Sequence, residues 1–166
     1  MTGRPVLLAL LLATLALPLS AFGYLLTGNV SVTTEEIVTV TPPTFKVPAR
    51  SAGSATFNNV ITLDFTKGGF AVNDQVTVLT EILVNDVNTP KGFRSLVVDV
   101  IDATAGTVVT TMTLTTPAGE FTVTVPDDGT GNPAAKTYNV KVSWLSGKQE
   151  VTAAIPLSAQ VTGISR

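Results

Sequence analysis

Beyond residue 26 the apolar positions recur at every second residue, and no segment carries a convincing helical period. Such alternation belongs to half-buried antiparallel strands with one wet face. It is clearest in Thr137 to Leu145, where Tyr138, Val140, Val142 and Trp144 point one way and Asn139, Lys141 and Ser143 the other. Glu120 to Val125 repeats it, with Phe121, Val123 and Val125 inward. Gly28 to Thr41 alternates twice, with Val30 and Val32 on one face, then Val38 and Val40, and a register break or bulge at Glu35-Glu36. Pro42-Pro43 ends that segment, and Pro48 ends a brief piece from Phe45 to Val47. Further strands are predicted over Ala55 to Phe65, Gln75 to Val84, Ser95 to Ile101, Thr107 to Thr115 and Glu150 to Val161.

Turn chemistry separates these runs, as at Lys67-Gly68-Gly69, Ala105-Gly106, Asp127 to Pro133 and Ser146-Gly147-Lys148. Short strands with turn signals between them predict an all-β fold, an antiparallel β-sandwich of jelly-roll or immunoglobulin-like kind with about eight or nine strands. Composition agrees. Thr (27) and Val (23) are stiff at χ1 and suit a pleated surface.

The N-terminus has a different pattern. A short basic start, Met1 to Arg4, precedes an uncharged apolar run from Pro5 to Leu19 and the small-residue stretch Ser20-Ala21-Phe22-Gly23. That order predicts a secretory signal helix, cleaved before Tyr24 or before Phe22. An uncleaved anchor is the alternative, since Pro5 to Leu26 is long enough to span a bilayer. The expected organisation is therefore a signal peptide (1–23), an extended segment (24–43) and a β-sandwich domain (44–166). After cleavage no stable membrane span is expected.

Charge and chemistry narrow the function. The chain of 166 residues has no Cys and no His, which removes disulfides, Cys/His zinc sites, thiol nucleophiles and histidine acid/base chemistry. Ten basic and 12 acidic residues give a net charge of −2 with no basic stripe, a poor match to nucleic acid. Asp127-Asp128-Gly129-Thr130-Gly131-Asn132 has oxygens that suit Ca²⁺, but it lacks EF-hand spacing and a distal carboxylate, and the same residues make an ordinary exposed turn. Glu35 and Glu36 are adjacent on a strand and so face opposite ways. Asp99 and Asp102 look isolated, and Lys67-Gly68-Gly69 lacks the phosphate-loop pattern. No catalytic, cofactor or metal site is expected, and the chain is not expected to be an enzyme. Asn29-Val30-Ser31 is a sequon, so Asn29 is a candidate for glycosylation.

Only 13% of residues are charged, so the predicted edge strands have few of the lysines that normally block edge-to-edge pairing. A signal peptide, an extended segment isolated by Pro42-Pro43 and a Thr/Val-rich sandwich together resemble archaeal secreted filament subunits. These are the archaeal bundling pili and threads related to TasA-type biofilm fibres. Asn58-Asn59-Val60-Ile61-Thr62-Leu63-Asp64 is a faint echo of a strand found in TasA-type sequences, whose aromatic-rich start is absent. The resemblance implies donor-strand complementation, in which the N-terminal strand of one subunit fills a groove in the next.

Physical reasoning supports the same mechanism, because an added strand gains main-chain hydrogen bonds while alternate side chains fill pockets. Tyr24, Leu25, Leu26, Val30, Val32, Ile37, Val38 and Val40 are the candidate donor side chains. Alternatively, the segment is the first strand of its own sandwich. The expected partners are identical subunits in a homopolymer, with neighbouring filaments or cell surfaces in addition. The expected location is an extracellular filament on the cell surface. A secreted or surface-attached immunoglobulin-like module binding carbohydrate or protein is the alternative function.

Overall fold

The computed structural model describes residues 37–83, 92–148 and 150–166. Among the described residues ten strands follow in chain order: β1 (Val38–Val40), β2 (Thr44–Val47), β3 (Ala52–Asp64), β4 (Gln75–Ile82), β5 (Phe93–Asp102), β6 (Val108–Thr113), β7 (Ala118–Thr124), β8 (Ala135–Ser146), β9 (Val151–Ala154) and β10 (Leu157–Ser165). They form a five-stranded sheet in the order β1-β3-β8-β5-β6, a three-stranded sheet in the order β10-β4-β7, and a two-stranded ribbon β2-β9. The protein is an all-β antiparallel sandwich.

The alternating residues make the core. On β8, Tyr138, Val140 and Val142 are buried, and on β7 Phe121 and Val123 are buried opposite them. The Phe121 and Tyr138 rings meet at 5.0 Å between centroids and join the two sheets. On β4, Val76, Val78, Thr80 and Ile82 point inward, so a hydroxyl occupies one core position. Thr80 Oγ1 donates to the Gly119 carbonyl at 3.0 Å, which offsets the desolvation of that group.

The single strand expected from Glu150 to Val161 is two. Pro156 has no N–H to donate and interrupts the ladder. The chain then changes sheets: β9 pairs with β2, and β10 pairs with β4. The Ile155 N–H donates to the Pro43 carbonyl and the Leu83 N–H to the Pro156 carbonyl, so the crossing backbone is partnered at both points. The brief Phe45-to-Val47 piece is a full strand because β9 lies alongside it.

Within β3 the register slips between Phe57 and Ile61. Asn59 takes a left-handed conformation (φ 53°), and its N–H donates to Asn139 Oδ1 at 2.9 Å. This bulge turns both Val60 and Ile61 into the core.

Candidate assembly interface

β1 is a three-residue strand at the edge of the larger sheet. Val38 pairs with Leu63, Thr39 with Thr62 and Val40 with Ile61. Val38 and Val40 pack on the core, Thr39 is exposed, and Ile37 just before them is buried at 1% exposure. Three candidate donor residues, Ile37, Val38 and Val40, thus sit in the sandwich of their own chain. Tyr24, Leu25, Leu26, Val30, Val32 and the sequon residue Asn29 lie outside the described residues, as do Glu35 and Glu36.

The Thr41 N–H makes the last bond to this edge, to the Val60 carbonyl at 2.8 Å, and Pro42-Pro43 then turns the chain away. From Ala52 to Phe57, β3 pairs with β8 on one side only, and among the described residues nothing pairs with its other side. The Ser146 N–H donates to the Ser51 carbonyl at 2.8 Å, which sets the parity of the ladder. Gly53, Ala55 and Phe57 therefore direct their main-chain groups at β8, while Ala52, Ser54 and Thr56 direct theirs at the open side. Those last three residues are exposed. A groove of about 400 Å³, lined by Thr41, Pro42, Pro43 and residues 56–60, lies at the Phe57 end of this edge.

Beneath the edge lies an aromatic layer. Phe45 of β2 stacks at 5.4 Å on Phe57 and at 5.3 Å on Trp144. All three rings are half-buried, and the Trp144 Nε1–H has no hydrogen-bond partner among the described residues. The ribbon β2-β9 contributes Phe45 to this layer, β3 contributes Phe57 and β8 contributes Trp144. Alternation along the chain did not indicate that the three rings meet.

The other sequence candidates resolve into local structure. In the 127–132 loop, Asp127 Oδ1 accepts from the Gly129 and Gly131 N–H groups at 2.7 and 2.9 Å. Asp128 Oδ1 accepts from the Thr130 N–H at 2.8 Å and its hydroxyl at 2.7 Å. The Thr130 hydroxyl bond, followed by its N–H, holds Asp128 below the usual carboxylate value. Both carboxylates thus serve their own turn. Among the described residues no group of three or more acidic side chains converges to hold a metal.

Asp102 is not isolated. Its Oδ2 lies 2.7 Å from Lys136 Nζ, and its Oδ1 accepts from the Thr104 and Ala105 N–H groups at 2.9 and 3.0 Å. Burial opposes the charge, but the lysine and the two N–H donors outweigh it and lower the pKa. Burial, and then the Asp102 carboxylate, raise the neighbouring Tyr138 phenol. This cluster was missed because Asp102 and Lys136 are 34 positions apart, and only the β5-β8 pairing brings them together. It ties the β5-β6 turn to β8.

Among the described residues no helix is long and apolar enough to cross a membrane. No family model matches the chain, and no curated protein matches it.

Proposed function

We propose that this chain is a structural subunit of an extracellular filament, a pilus or thread on the cell surface, polymerising head-to-tail by insertion of its N-terminal segment into the sandwich of a neighbour. The observation that carries this reading is the chemistry of the sheet edges. Among the described residues the edge strands β1, β6 and β10 contain no charged residue and β7 contains one, Glu120, while β3 has none before Asp64. Monomeric β proteins usually place lysine or other blocking features at such positions. Edges left open in this way suit a protein that pairs with its own kind, and a head-to-tail contact that does not close generates a fibre.

The alternative, a binding module for carbohydrate or protein, calls for an exposed aromatic platform. Tyr138 is buried, and Trp144 is held between Phe45 and Gly53. Electron microscopy of the purified secreted protein tests the proposal. Filaments are expected, whereas monodisperse particles at high concentration would overturn it.

A further inference from the structure

We infer that the acceptor for the inserted strand is the open edge of β3 from Ala52 to Phe57, and that its occupant is residues 28–33 of a second copy, with Ile37 to Val40 staying in their own sheet. This inference rests on the filament reading and names the two surfaces that reading leaves unassigned.

The first argument is main-chain valence. Ala52, Ser54 and Thr56 present their N–H and C=O groups at the open side, and an extended segment laid there would pair with them as β8 pairs with the other side. The second is matching side-chain chemistry. Gly28-Asn29-Val30-Ser31-Val32-Thr33 is uncharged and alternates. Val30 and Val32 would continue the inward face, where Phe57 stacks on Phe45. Ser31 and Thr33 would continue the exposed row of Ser54 and Thr56.

The third argument is direction. β1 runs antiparallel to β3, so Ile37 sits beyond the Leu63 end, whereas the open edge occupies the opposite end of the same strand. Residues 24–36 therefore join the domain far from the edge of their own β3. To reach it, they would have to reverse and pass over β1, which already occupies the positions beside residues 61–63. Only residues 34–36 separate the inserted segment from Ile37, a span of roughly 13 Å when extended. Ile37 lies beyond Leu63, six strand positions or roughly 20 Å past Phe57. The segment therefore falls short of its own open edge and reaches that of an abutting neighbour. Donor and acceptor at opposite ends give an open, head-to-tail contact.

The test uses the full secreted chain. Thr56→Pro and Ser54→Pro each remove one outward N–H and leave the bonds to β8 intact, a position where a strand tolerates proline. Either variant is expected to keep the wild-type circular dichroism spectrum and to need about tenfold more protein to form filaments. Because the chain has no cysteine, paired substitutions can report the contact directly. Ser31→Cys combined with Thr56→Cys, or with Ser54→Cys to cover the alternative register, is expected to give a ladder of disulfide-linked oligomers on oxidation. Ser31→Cys with Gln160→Cys, on the β10 edge, is expected to give none.

Wild-type filaments whose assembly is unaffected by the proline variants, or whose ladder requires Gln160→Cys, would overturn the acceptor assignment and leave the filament reading standing. An intramolecular disulfide within monomers would overturn donation between copies. Absence of filaments from the wild type would overturn both.

Discussion

Gly53 on β3 lies directly opposite Trp144 on β8, and a Cβ placed on Gly53 would come within 3.0 Å of the indole Cζ2. The absent side chain lets the indole lie across the strand while it also packs on Phe45 at 5.3 Å. Gly53→Val must displace the ring or the strand. Overpacking of this kind is expected to cost about 1–3 kcal/mol. Urea unfolding of the monomer should show a lower midpoint with an unchanged slope, and Gly53→Ala should fall between the two.

The Phe121–Tyr138 contact joins the two sheets through the centre of the sandwich. Tyr138 is 1% exposed, so truncation leaves a cavity that the surrounding strands fill only in part. Tyr138→Ala is expected to destabilise the domain by about 3–5 kcal/mol, measured by chemical denaturation.

Asp102 gives a signed pH dependence. Its pKa in the folded chain is lowered from the ordinary 3.8, so the folded state favours the charged form. The resulting stability is present above that ordinary value and is lost as pH falls through the lower, folded value. The wild type is therefore expected to lose stability on acidification below 3.8. Asp102→Asn should be less stable at neutral pH, because Lys136 loses its partner, and should have a flatter acid limb. Thermal melts from neutral pH to pH 2 measure both effects.

The N-terminal segment divides at Ile37. Deleting residues 24–36 is expected to abolish filaments and leave the melting temperature of the domain close to the wild-type value. Deleting residues 24–40 also removes the buried Ile37 and exposes the Ile61-to-Leu63 edge, so stability should fall as well. Point substitutions should follow the same division. Val38→Asp places a carboxylate against the core and should destabilise the monomer, while exposed Thr39→Asp should be mild. Val32→Asp should affect assembly alone. Equal melting temperatures for Val38→Asp and Thr39→Asp would contradict the seating of β1.

Strand type and the inward face were readable from the chain because they are set by neighbours two residues apart. The period-2 run from Tyr138 to Val142 and the Phe121-Val123 pair could hardly bury their apolar side in any other way. The Asp127-to-Pro133 turn was readable for the same local reason, since its carboxylates bond their own loop. Which strands pair is a different kind of information. Alternation is the same whether Glu150 to Val161 forms one strand or two, and only the packed sheets put β9 against β2 and β10 against β4.

The Asp102–Lys136 ion pair and the Phe45–Trp144 layer likewise join residues 34 and 99 positions apart. No local pattern encodes such distances, because they follow from which strand lies beside or beneath which. The open edge of β3 belongs with them. A side left unpaired among the described residues is a property of the finished sheet, set where β1 ends and Pro42-Pro43 leads the chain away.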